Sequence, residues 1–175
     1  IAGQSWGTIP ATLAAQRRPE LYHALIGTGQ MVDIRQTDQL FYEDTLAWAR
    51  ANDDTDLVQR LEAMGPPPYD DVIGDYPVIV GPERALNPYP EFDGRTEMDA
   101  TIWGPEFSVM DSLGAIRGLA DTYARLYPQL QDLDLRERVP SLEVPIWIVM
   151  GEHEARGRVE PAREWFEALE APEKH

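Results

Sequence analysis

The spacing with the clearest chemical meaning is Gly3-Gln4-Ser5-Trp6-Gly7, a G-x-S-x-G pattern near Ile1. In serine hydrolases this spacing forms a tight strand-to-helix turn that presents the serine hydroxyl. Ser5 is therefore the candidate nucleophile, its Oγ attacking a carbonyl carbon. Both flanking glycines are expected to be required, because side chains there would clash where strand and helix nearly touch. The backbone N–H of Trp6 would supply half of an oxyanion hole, helped by the positive end of the following helix. A serine hydroxyl also needs a base, since it is a poor nucleophile by itself at neutral pH.

The histidines are His23, His153 and His175. His23 falls at the N-terminal end of an expected strand, away from the ligand face. His153 lies inside an acidic loop, and His175 follows a helix with no intervening strand. None of them reads as the base. The orienting carboxylate should follow a late strand, in the order serine, acid, histidine. Gly151-Glu152-His153-Glu154 stands there, and Glu152 and Glu154 alternate, so one of the two is expected to face the site. No His-x-x-x-His or Asp-x-Asp-x-Asp-Gly spacing occurs, and no phosphate-cradling glycine loop with a lysine. Neither a metal nor a cofactor is expected.

The elements that must position these residues follow from patterning. Thr8, Ile9, Thr12, Leu13, Ala14 and Ala15 predict a helix opening at the serine turn and ending near Pro19, with Pro10 in or near its first turn. Tyr22 to Gly29 is a short apolar run closed by glycines, expected as a buried strand. Phe41, Tyr42, Thr45, Leu46 and Ala49, then Leu57, Val58, Leu61 and Met64, predict a helical hairpin broken at Asn52-Asp53-Asp54 and stopped by Gly65-Pro66-Pro67-Pro68. Residues 69–105 read only as short helices and loops. A long helix is expected from about Glu106 to Leu126, with Val109, Leu113, Ile116, Ala120, Tyr123 and Tyr127 as its apolar stripe. Trp103, Phe107, Tyr123 and Tyr127 are expected in the core. Ile146 to Gly151 is the strongest strand, and Glu160 to Leu169 a short helix with Pro161 in its first turn. The fold class is α/β, with core parts at residues 1–30 and 139–175 and a mostly helical insertion at 31–138.

Of the 175 residues, 43% are hydrophobic, enough for a packed core. Cysteine is absent, which excludes disulfides and thiolate metal sites. The net charge of −16 opposes binding to nucleic acid and to anionic membranes. No run approaches the roughly 18 apolar residues of a membrane helix. A cytoplasmic protein with a small-molecule substrate is expected, with self-association open.

Four stretches carry a resemblance: Gly3 to Thr8, Gly27 to Val32, Leu126 to Leu130, and Val144 to Arg158. Through them, over nearly its whole length, the chain resembles the C-terminal two-thirds of an α/β-hydrolase of the proline-iminopeptidase-like group, a branch with a helical cap. The resemblance implies Ser5 as nucleophile and places the catalytic acid at Glu154, where the family usually has aspartate. It also implies that the family's histidine lies in a Gly-His segment after one more strand, past His175. The first strands and a His-Gly oxyanion loop would lie before Ile1. The expectation is thus a piece of a serine hydrolase acting on small ester, amide or peptide substrates through an acyl-enzyme. The alternative is an inactive fragment that serves as a ligand-binding or interaction module.

Overall fold

The computed structural model describes residues 1–89 and 102–175. The fold is mixed α/β and mostly helical. Its sheet has three parallel strands, β1 (Ala2–Gln4), β2 (Leu25–Thr28) and β3 (Ile146–Val149), in the order β1-β2-β3. Ala2 pairs with Ile26, and Leu25 with Ile146. Because successive side chains alternate, Gly3, Leu25, Gly27, Ile146 and Ile148 share one face. Helix α1 (Thr8–Arg17) lies on that face, and Ala11, Ala15, Leu25 and Ile146 belong to one buried cluster. The opposite face leaves Ile26 and Val149 exposed. Residues 173–175 pair along the outer edge of β3: His175 N–H donates to the Ile146 carbonyl at 3.0 Å, and Ile148 N–H donates to the His175 carbonyl at 2.8 Å.

Between β2 and β3 come α2 (Ile34–Ala51), α3 (Thr55–Met64), α4 (Val72–Val80), α5 (Glu83–Leu86), α6 (Val109–Leu130) and α7 (Leu135–Arg138); α8 (Arg156–Ala168) follows β3. The α2–α3 hairpin breaks at Asn52-Asp53-Asp54 as its composition predicts. Asp33 and Asp54 cap the two helices by accepting from Gln36 N–H at 3.0 Å and Leu57 N–H at 3.1 Å. Gly65, at φ 75°, ends α3 in the left-handed region where glycine is unstrained.

The strands are shorter than expected, Leu25–Thr28 within Tyr22–Gly29 and Ile146–Val149 within Ile146–Gly151, and three helix boundaries differ from expectation, each for a physical reason. The long helix starts at Val109, not Glu106, because Ser108 and Asp111 form a capping box there. It runs through Pro128 to Leu130, since a proline in the last turn forfeits one hydrogen bond without stopping the chain. Helix α8 starts at Arg156, not Glu160, so Pro161 lies beyond the first turn. Its register is set by α2: a Cβ at Gly157 would lie 2.7 Å from the Thr37 carbonyl oxygen, so only glycine permits the contact. The apolar stripe of α6 is buried only toward its C-terminus. Tyr127 is buried, while Val109, Leu113 and Ile116 are exposed, as are Trp103 and Phe107, contrary to a core role.

Two apolar clusters result. One, beneath the sheet, centres on Trp165, whose Nε1–H donates to the Val139 carbonyl at 2.9 Å. The other fills the helices around Phe41, Leu61, Ile79 and Tyr127, and Leu13 and Leu133 pack against both. Arg136 ties the helical segment to the core by pairing with Asp33 at 2.8 Å, with Asp134, and with Glu164 of α8. Within the second cluster sits a buried carboxyl that patterning missed. Asp38 is 1% exposed; its Oδ2 accepts from the Tyr127 hydroxyl at 2.8 Å, and its Oδ1 has no hydrogen-bond partner among the described residues.

Burial raises the Asp38 pKa to about 7, with the Tyr127 bond opposing the rise. The folded pKa thus exceeds the unfolded one, so this contribution to stability is full below about pH 4 and is lost as pH rises through about 7. Asp38→Asn, which cannot ionise, should flatten the pH dependence of thermal unfolding and leave the variant more stable than the parent at pH 8, by up to ~4 kcal/mol. Parallel melts of the two proteins from pH 5 to 8 check this; identical slopes would contradict it.

Candidate active site

The serine turn is built by a close approach of backbone to backbone. Gln4 is extended, at φ −122° and ψ 136°, and Ser5 then turns to φ 49°, before a single turn of 3-10 helix (Ser5–Gly7) leads into α1. A non-glycine residue at positive φ costs of order 1–3 kcal/mol and persists only where its surroundings over-determine it. Here the chain reverses direction so sharply that a Cβ at Gly3 would lie 2.5 Å from the Gly7 carbonyl oxygen and 2.7 Å from Thr8 Cα. Gly3 is therefore required. Gly7 is not: a Cβ there meets nothing within 4 Å. This corrects the expectation that both glycines of the pattern serve clearance.

The loop after β2 braces the turn. Thr28 Oγ1 donates to the Gly3 carbonyl at 3.1 Å. Buried Thr8 Oγ1 donates to the Ser5 carbonyl at 2.6 Å and accepts from Met31 N–H at 3.0 Å. Gly29 adopts φ 57°. The stretch Gly27 to Met31 is thus the support that holds Ser5 in its strained conformation.

Ser5 and Trp6 line a cavity of about 570 Å³ together with Pro10, Tyr76 of α4, and Leu119, Tyr123 and Leu126 of α6. The Trp6 ring stacks on Tyr123 at 4.4 Å and 22°. Tyr123 in turn meets Tyr76 at 5.1 Å and Tyr127 at 5.9 Å. Tyr127 then reaches Asp38. Burial raises the pKa of Tyr123 and of Tyr127, so both phenols stay protonated. As the second residue of a helical turn, Trp6 has an N–H with no intrahelical acceptor, near the N-terminus of α1. The four-residue spacing of Tyr123 and Tyr127 on one helix predicts that they pack, but the part of Trp6 and Tyr76 in the stack is not legible in the sequence.

Glu154 lies elsewhere. Together with Glu152 and His153 it lines a second cavity, of about 530 Å³. Residues 150–154 form no strand, so the alternation that would have turned Glu152 and Glu154 apart does not apply. Glu154 Oε1 accepts from Arg158 Nη1 at 2.6 Å and from Ala155 N–H at 3.0 Å. Arg158 also grips Glu83 of α5 and lies over the Phe41 ring at 4.8 Å. It is the junction between the acid-bearing loop and the helices.

The histidines stay apart from Ser5. His23 is exposed before β2, His153 stacks on Tyr89 at 5.8 Å, and His175 stacks on Trp147 at 4.8 Å. None lines the Ser5 cavity among the described residues. No cluster of three His, Cys, Asp or Glu side chains among the described residues could hold a metal ion, and no described helix is long and apolar enough to cross a membrane.

Two variants test the turn. Gly3→Ala should lower stability by ~2–3 kcal/mol through overpacking, whereas Gly7→Ala should change it by less than ~1 kcal/mol. Equal losses in denaturant titrations would refute this steric account. Arg158→Met should cost ~1–3 kcal/mol, because it leaves the part-buried Glu83 and Glu154 facing each other unneutralised.

No family model matches the chain, and no solved structure matches it. The chain is similar to a protein of Bacillus subtilis (strain 168) named Probable aminopeptidase YbaC, with 25% identity over 176 residues. The match covers 99% of this chain and 55% of that protein, so the chain spans about half the length of the curated relative it matches.

Proposed function

We propose that this chain is part of a serine hydrolase of the α/β-hydrolase fold that acts on small ester, amide or peptide substrates. Ser5 is the nucleophile, residues 1–30 and 139–175 belong to the catalytic core, and 31–138 form the cap. The observation that carries this reading is Ser5 at φ 49°, held on a strand-to-helix turn that opens into a cavity walled by helices α4 and α6. Strain of this kind concentrates at functional sites, and this turn is the one a serine elbow requires. The similarity to a protein named as an aminopeptidase supports a peptidase-like activity.

In this reading the Ser5 hydroxyl oxygen attacks the substrate carbonyl carbon while its proton passes to a histidine. The carbonyl electrons move to oxygen, and the Trp6 N–H donates to the resulting oxyanion. Collapse re-forms the carbonyl and expels the alcohol or amine, which takes the proton back from the imidazolium. Water then repeats the sequence on the acyl-enzyme and releases the acid. Glu154 is proposed as the carboxylate that orients the histidine, and Arg158 holds it by ion pair. None of His23, His153 and His175 lines the Ser5 cavity, so the base would be a histidine other than these three.

The intact protein should be labelled by a fluorophosphonate probe, and Ser5→Ala should abolish both the labelling and at least ~10³-fold of kcat. Undiminished labelling of Ser5→Ala, or none of the intact parent, would sink the reading. Glu154→Gln should lower kcat at least ~10-fold while leaving the melting temperature within a few degrees; unchanged kcat would remove Glu154 from the triad.

A further inference from the structure

We propose that Thr8 is a positioning residue for the oxyanion hole, which it aims through the Ser5–Trp6 peptide. This rests on the serine-hydrolase reading and goes further by tying the loop after β2 to the transition state. Thr8 is fully buried at the start of α1, and its hydroxyl has two partners. Met31 N–H can only donate, so it takes up a lone pair of Thr8 Oγ1, at 3.0 Å. The Ser5 carbonyl can only accept, so the hydroxyl proton lies on the 2.6 Å bond toward it. Neither bond can reverse its direction.

The Ser5 carbonyl and the Trp6 N–H are the two ends of one planar peptide group. Fixing the carbonyl therefore fixes the line along which the N–H points. The Thr8 N–H donates to the same carbonyl, as a 3-10 turn requires, but bonds of that type have poorer geometry. The buried hydroxyl adds a second donor, and Met31 sets its place from outside the turn. Donors and acceptors then run head to tail. Met31 N–H meets Thr8 Oγ1, the Thr8 O–H meets the Ser5 carbonyl, and the Trp6 N–H meets the oxyanion. Each bond in such a chain polarises the next, so charge forming on the substrate oxygen strengthens the bonds behind it. The gain grows only as that charge forms, so it lowers the barrier and does not tighten substrate binding.

The test compares the intact parent protein with Thr8→Val, which keeps the shape and removes the hydroxyl, and with Thr8→Ser, which keeps the hydroxyl. The rate constant and the end point of labelling by the fluorophosphonate probe are both measured, with melting temperatures alongside. Thr8→Val should be labelled at least ~10-fold more slowly while its folded fraction still labels to completion, and Thr8→Ser should stay within about threefold of the parent. A residue that only braced the fold would lower the melting temperature and the labelled fraction but not the rate per folded molecule. An unchanged rate in Thr8→Val, or an equal loss in Thr8→Ser, would overturn the inference. Should Thr8→Val not fold, the parent decides the matter by amide proton shifts before and after phosphonylation of Ser5. The Trp6 and Met31 amide protons should both move downfield, and a Met31 proton that stays in place would overturn the inference. Absence of labelling in the parent would instead defeat the hydrolase reading, and the inference with it.

Discussion

Between β1 and α1 the backbone passes so close to itself that residue 3 has no room for a side chain. The absence of a side chain at Gly3 permits the chain to reverse there, and in that reversal Ser5 stands at φ 49°. The neighbouring elements serve to hold that reversal. β2 pairs with β1 and sends Thr28 back to Gly3; the loop after β2 sends Met31 N–H to Thr8; Thr8 holds the Ser5 carbonyl. Local strain of a few kcal/mol is tolerable because three hydrogen-bonded supports and the parallel sheet all specify the same backbone path.

From the turn, coupling to the helices runs through aromatic rings. Trp6 is the first residue after the serine, and its ring is the one that meets α6. Tyr123 lies at the centre, stacked between Trp6 and Tyr127 and tilted against Tyr76. Tyr127 anchors this column to α2 through Asp38. This buried phenol–carboxyl bond, with a carboxyl that burial holds largely protonated below neutral pH, is thus one of the ties of the helices to α2, beside the Thr45 hydroxyl of α2 that donates to the Ile79 carbonyl of α4. A second tie, at Arg158, joins α8 and the acid-bearing loop to α5 and α2 by charge, not by ring stacking. The two ties differ in how they respond to the medium. The buried tyrosine–carboxyl bond is shielded from salt, and the part-exposed arginine fork is screened by it.

Features that depend on near neighbours in the chain are legible in the residues alone. The G-x-S-x-G spacing, the strands expected within Tyr22–Gly29 and Ile146–Gly151, and the hairpin broken at Asn52-Asp53-Asp54 all rest on short-range sterics and periodicity, and the fold has a turn, strand or break in each place. The other features depend on long-range packing. Only packing of α8 on α2 at Gly157 explains why that helix begins before Pro161, and only the Gly3 contact shows that Gly7 is free to change. Asp38 reads as one more polar residue on an amphipathic helix until α6 buries it. Glu152 and Glu154 read as an alternating pair until the loop turns both toward one cavity. In each case the deciding partner lies far away in sequence, so periodicity and spacing could name the candidates but not what they touch.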